Sequence, residues 1–133
     1  MPKPELPPLS ESQLEILNIV WDQGKATVGQ IRKVLAKRRS VSRATVSTMV
    51  TRLEEKGWLR HQIVGGTFLY SPTQPREKVL SRLVHRLVDA AFQGSAEGLV
   101  LTILEGGRLS AEEVERIKAM LEKAEIEMRE GRR

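Results

Sequence analysis

The sequence predicts a mainly α chain with one small β-hairpin: a winged helix-turn-helix at residues 10–73 followed by a helical dimerisation region at 74–133. Three capped amphipathic segments come first, two β-rich runs joined by a glycine pair come next, and helical periodicity then returns for the second half. Charge divides the chain the same way. Lys and Arg total 22 against 17 Asp and Glu, net +5, and the whole excess lies before residue 76. Between Lys25 and Arg60 stand Lys25, Arg32, Lys33, Lys37, Arg38, Arg39, Arg43, Arg52, Lys56 and Arg60, with only Glu54 and Glu55 among them. A length of 133 residues suits one domain with an appendage and excludes a large two-domain enzyme.

Residues 1–9 hold four of the six prolines and read as a flexible leader. Ser10 and Gln13 form a capping box, in which hydroxyl and amide each satisfy an orphan backbone N–H. The helix they open carries Leu14, Ile16, Leu17, Val20 and Trp21 at steps of three and four and ends at Gly24. Thr27 and Gln30 repeat the box for a short second helix with Ile31, Val34 and Leu35 inward, running out at Lys37, Arg38 and Arg39. Val41 then packs as a staple and Ser42 caps a third helix through about Lys56, with Val46, Met49, Val50 and Leu53 inward and Gly57 closing it. Trp58–Val64 and Thr67–Ser71 are strands joined by Gly65-Gly66, a two-residue hairpin turn. Pro72 and Pro75 stop the second strand.

From Glu77, Val79, Leu80, Leu83, Val84, Leu87, Val88 and Ala91 make a broad apolar stripe ended by Gly94. A short apolar helix, Leu99–Leu104, stops at Gly106 and Gly107, and Ser110 caps a last helix. There Val114, Ile117, Leu121, Ala124 and Met128 follow the 3, 4, 3, 4 step of a coiled-coil seam. That seam is too short to hold two chains alone. Together with the preceding stripe it leaves more apolar surface than a three-helix hairpin covers, so a homodimer is expected through Leu80, Leu83, Leu87, Leu101, Leu104, Val114, Ile117 and Leu121.

The outer face of the third helix is the main candidate site. Reading DNA requires short side chains that let the backbone approach base edges, polar groups upon them, and cations for the flanking phosphates. Ser42, Arg43, Thr45, Ser47 and Thr48 supply the first two, with the small Ala44 on the same face; Arg52, Lys56, Lys37, Arg38 and Arg39 supply the third. An ordinary solvated helix face mixes both signs through i to i+4 pairs, whereas Ser42–Leu53 contains no acid. His61, Gln62 and the glycine tip are placed to reach a neighbouring minor groove or the backbone, with Arg60 at the base; a hairpin with no such contact is the competing reading.

Other chemistries find little support. His61 and His85 lie on different elements, so no metal site or other cofactor is expected. There is no nucleophile elbow, no phosphate-binding loop and no H-E-x-x-H, and Ser95 reads as a helix cap, so the chain is not expected to be an enzyme. The two tryptophans read as core. Zero cysteines fit a reducing compartment, no apolar run suffices for a membrane span, and the first residues lack a signal-peptide core. A cytoplasmic protein with no membrane insertion is expected.

Five stretches, LSESQLEILNIVWDQG, SRATVSTMVTRLEEKGWL, FLYSP, GLVLTILE and LSAEEVERIKAML, in this order and spacing, resemble the penicillinase-repressor family of bacterial transcription regulators. The likeness runs from Leu9 to about Met128. It implies a homodimeric winged-helix repressor on a dyad operator in double-stranded DNA, with the C-terminal half as the dimer module. Thr45, Ser47, Thr48 and Arg52 fall where family members contact DNA; Ala44 and Ser47 replace basic side chains of the β-lactam repressors. Members of that branch are inactivated by proteolysis between an Asn and a Phe of the fifth helix, downstream of a membrane-bound sensor peptidase, and Thr102 and Ile103 hold those places here. The copper-responsive branch uses a C-terminal cysteine cluster, which this chain does not have.

The reading is a transcriptional repressor. Its rivals are a protein-docking winged helix whose basic face meets an acidic partner, and a ligand-sensing regulator. For the latter, one Tyr and two Phe provide few pocket walls.

Overall fold

The computed structural model describes residues 6–131, and the elements follow the predicted order. They are α1 (Glu11–Gln23), α2 (Val28–Leu35), α3 (Arg43–Glu55), β1 (Leu59–Val64), β2 (Thr67–Pro72), α4 (Arg76–Ala91), α5 (Ala96–Glu105) and α6 (Ala111–Arg129). Both capping boxes form, Ser10 with Gln13 and Thr27 with Gln30, so α1 and α2 each start with reciprocal side-chain to backbone bonds. Ser42, Ser95 and Ser110 cap α3, α5 and α6. Differences from the predicted limits are small: Trp58 precedes β1, Pro72 ends β2, and α5 starts three residues early at Ala96 because Ser95 is its cap.

The first core is built by α1, α2 and α3 with the hairpin. Ile16, Leu17, Val20, Ile31, Leu35, Val46, Val50 and Leu53 are wholly buried, and Leu59 and Val79 nearly so. Val34, Val41 and Met49, expected inward, are half-buried at its margin. β1 and β2 pair antiparallel from Leu59 with Pro72 to Val64 with Thr67. Gly65 and Gly66 both have positive φ, 59° and 79°, the conformation a two-residue turn needs to match the strand twist. The α1–α2 loop adds a connection that sequence periodicity did not show: Ala26 exchanges two backbone hydrogen bonds with Tyr70, at 2.9 and 2.8 Å. This one-residue third strand clamps the hairpin to the helices.

Two expectations change. The leader is not free at Leu6 and Pro7. Trp58 Nε1 donates to the Pro7 carbonyl at 3.0 Å, and Leu6 lies so close over Gly57 that a Cβ there would meet its side chain at 3.0 Å. Prolines cannot donate, but their carbonyls accept, and an indole N–H near the core needs an acceptor. Residues 1–5 of the predicted leader lie outside the described residues. The two tryptophans also do not share one place in the core. Trp58 is buried, whereas Trp21 is half-exposed and donates to the Gln74 carbonyl at 2.9 Å, with the Arg76 guanidinium 5.6 Å above its ring.

Two compact units divide between Arg82 and Leu83, inside α4. The first turns of α4 belong to the first unit because Arg76 donates to Asn18 O at 3.0 Å and pairs with Asp22, while Arg82 donates to Gln74 Oε1. In the second unit no residue of α5 or α6 is buried. Leu87, Val100, Leu101, Ile103, Leu104, Leu121 and Met128 are each about half exposed or more, and Val114, Ile117 and Ala124 are half-buried. Among the described residues no single helix is long and apolar enough to cross a membrane; α4 and α5 reach that length only across a 92° bend.

Leu53 joins α3 to the first core with no exposed surface. Leu53→Ala is expected to cost about 2–5 kcal/mol of unfolding free energy, measured by urea titration of the first unit's tryptophan fluorescence.

Candidate nucleic-acid interface

The inward stripe of α3 leaves Arg43, Ala44, Thr45, Ser47, Thr48, Thr51 and Arg52 exposed, so the predicted face is a surface. Its members differ in how free they are. Ser42 Oγ accepts from Thr45 N at 3.1 Å and donates to Thr45 Oγ1 at 2.9 Å, which makes this pair the helix cap first. Thr48 Oγ1 donates back to Ala44 O at 3.0 Å, leaving its lone pairs and methyl outward. Arg43, Ser47, Thr51 and Arg52 have no side-chain hydrogen bond or ion pair among the described residues. Two shallow hollows flank the helix. One of about 290 Å³ is lined by Ala44, Thr45, Thr48, Met49 and Arg52. The other, about 190 Å³, brings Arg43 and Ser47 together with Val28 and with Thr67, Phe68 and Tyr70 of the hairpin.

The surrounding cations sort into two sets. Arg38 and Arg39 turn back onto Glu15 of α1 at 3.1 and 2.6 Å. Burial pulls the Glu15 carboxyl up, but hydrogen bonds from the two arginines and their charges outweigh it and hold the pKa below the usual carboxylate value. Lys56 reaches Gln13 Oε1 at 3.3 Å, also toward α1. Three cations assigned from sequence to phosphate contact therefore carry intramolecular partners, since Glu15, distant in sequence, sits where the chain after α2 passes. In the second set, Lys25, Lys33, Lys37, Arg43, Arg52 and Arg60 form no ion pair among the described residues. Lys25 and Arg60 line one hollow of about 490 Å³ with Gln62 and Ser71 at the hairpin base. Charge counting included Lys25, but only the Ala26–Tyr70 connection shows why it stands beside Arg60.

His61 is engaged as well. Its Nδ1 lies 2.6 Å from a Glu54 oxygen at the end of α3, and its ring stacks on Phe68 with centroids 4.0 Å apart and 8° between planes. The Glu54 carboxylate beside Tyr70 adds to burial in raising the tyrosine pKa, burial being the larger cause. The seven-residue gap between Glu54 and His61 is closed by the turn at Gly57. Gln62 remains exposed on the hairpin. Among the described residues no group of three or more His, Asp or Glu is arranged to hold a metal ion. The hollow beside α1, about 650 Å³ and lined by Glu11, Glu15, Asn18, Asp22, Arg38, Arg39 and Arg76 among others, is polar and open rather than an aromatic-walled ligand pocket.

The chain is similar to several known proteins. The family model described as "Penicillinase repressor" matches residues 9–123. The "Penicillinase repressor" of Bacillus licheniformis is 29% identical over 118 residues, covering 89% of this chain and 92% of that protein. The "Methicillin resistance regulatory protein MecI" of Mammaliicoccus sciuri is 25% identical over 115 residues, 86% and 94% of the two chains. Among solved structures, a mutant MarR from E. coli complexed with operator DNA aligns at a TM-score of 0.52 with 21% identity, over 87% of this chain and 75% of that one, a likeness of fold.

Substitution separates the roles of the free side chains. Arg43→Ala is expected to cost about 1–3 kcal/mol on a matched duplex and little on a scrambled one, whereas Arg52→Ala weakens both and lowers the salt slope by about 1, both read by fluorescence anisotropy. A second expectation concerns acid. A carboxylate with a depressed folded pKa adds stability above its unfolded value, 4.5, that is lost as the pH falls through the folded one. Glu15→Gln is therefore expected to lower stability by a pH-independent amount between pH 6 and 8 and to flatten the acid limb of a pH–stability curve.

Proposed function

The chain belongs to the penicillinase repressor family, and from that membership we propose that it represses transcription as a symmetric homodimer on a dyad operator, one α3 lying in the major groove of each half-site. As a family member it is a winged-helix DNA-binding regulator. The observation that carries the finer reading is the α3 surface: short polar side chains, two arginines, Arg43 and Arg52, without an ion partner among the described residues, and no acid in α3 before Glu54. Two-fold symmetry of the protein would be mirrored in half-sites about one helical turn, or a multiple, apart. Occupancy would obstruct polymerase.

The dimer reading is supported by the second unit. No residue of α5 or α6 is fully buried within one chain, and Leu101, Leu104 and Leu121 are 52%, 55% and 64% exposed. A second copy is the covering surface that an isologous interface supplies, and Leu80, Leu83, Leu87, Val114 and Ile117 extend the same apolar set. Release follows from loss of the dimer, because two linked half-sites bind far more tightly than one. In the proposed proteolytic route a sensor peptidase would act at Thr102–Ile103. Both residues lie inside α5, where Thr102 Oγ1 also donates to Gly98 O at 2.9 Å, so cutting would require that turn to open first.

Selection of duplexes of about 40 bp from a random pool tests the reading. The expected outcome is an inverted-repeat sequence preferred about a thousandfold or more over a scrambled duplex. Enrichment of nothing, with equal and steeply salt-dependent binding to all duplexes, would instead favour the docking-module rival. Leu121→Asp is expected to leave the first unit folded, to sediment as a monomer, and to lose about a hundredfold or more in affinity for the selected duplex. A dimer at full affinity would refute the assignment of the interface.

A further inference from the structure

From His61 to Pro75 the chain contains no Lys, Arg, Asp or Glu, although it follows the most basic part of the sequence. The hairpin tip is apolar instead. Ile63 is 65% exposed, Val64 53% and Phe68 44%. The register sets Ile63 opposite Phe68 and His61 opposite Tyr70, and period-two alternation puts all four side chains on one face. That face is braced: Phe68 stacks on His61, and Glu54 of α3 holds His61 Nδ1 at 2.6 Å. It is also continuous with the α3 surface, because Phe68 and Tyr70 line the same hollow as Arg43 and Ser47.

We infer that Ile63, backed by Phe68, is a neutral, shape-reading contact that the wing tip makes with the minor groove flanking each half-site. The inference rests on the reading above that α3 faces DNA. A tip without cations releases no counterions and gains little from phosphates. What exposed isoleucine and phenylalanine gain from is contact with deoxyribose and base edges, the use to which apolar wedges are put in minor grooves. Two glycines make the tip thin where it must enter a groove about 6 Å wide. On the groove floor, guanine carries an exocyclic amino donor that A·T pairs lack. An apolar side chain offers that donor no acceptor, so G·C pairs are disfavoured beneath the tip.

The test uses the full chain on the selected duplex, with the base pairs flanking each half-site made A·T, G·C or inosine·C, the last lacking the guanine amino group. Wild-type protein is expected to bind A·T and inosine·C flanks alike and G·C flanks about tenfold more weakly. Ile63→Thr keeps a β-branched strand residue and is expected to lose most of that discrimination, and about tenfold in affinity, at an unchanged salt slope. Ile63→Lys is expected to abolish the flank preference while steepening the salt slope by about 0.9 per subunit, about 1.8 for the dimer. Wild-type binding indifferent to all three flanks would overturn the inference without any variant. So would Ile63→Thr matching wild type, even if Ile63→Lys steepened the slope and thereby put the tip near phosphate. A fall in sedimentation mass with Ile63→Thr would assign the tip to a second copy of the chain and equally overturn it. Failure of the underlying reading is separate: no duplex would be selected, or Arg52→Ala would bind as wild type.

Discussion

The seating of one helix governs the rest of the molecule. Val46, Val50 and Leu53 pin α3 by a wholly buried stripe against α1 and α2, and a 13-residue helix with one face so held has its opposite face determined by geometry. Everything proposed for the protein depends on that orientation. Close packing keeps it: core side chains in contact on all sides cannot rotate by a residue without opening a void. The hairpin is registered to the same frame through both strands, by the Ala26–Tyr70 backbone pair and by His61 on Glu54.

Charge is distributed by the same packing. A linear count makes Lys25–Arg60 uniformly basic, but the folded chain spends part of that charge internally. Glu15 takes Arg38 and Arg39, and Gln13 takes the Lys56 amine. The cations without ion partners among the described residues stand on and just after α2, on α3 and at the hairpin base, so the unpaired positive surface is narrower than the linear count. Its apolar neighbour, the wing tip, has no charge of either sign. Recognition by such a surface would combine salt-dependent attraction from one part with contact selectivity from another.

The two units reach stability by different routes. The first closes its own core, with three helices, the hairpin and even Leu6 and Pro7 contributing. The second forms well-capped helices, α5 and α6, with no fully buried residue. Helices of this length gain most of their stability from packing of an apolar face rather than from propensity. In the proposed dimer a second copy would supply that packing, which would couple folding of the second unit to association.

Element order, caps, the glycine turn, the α3 stripe and the apolar C-terminal faces were all legible in the sequence. Each depends on residues within a few positions of one another: Ser10 with Gln13, Thr27 with Gln30, Gly65 with Gly66. Local backbone chemistry and period therefore determined them. Partners far apart in the chain were decided only by tertiary structure. Arg38 with Glu15, His61 with Glu54 and Phe68, Trp58 with Pro7 and Trp21 with Gln74 are contacts between elements. Periodicity states which face of an element is inward, but not what stands opposite it. That information arises when the elements dock, and here it decided which arginines remain free and which hairpin residues continue the α3 surface.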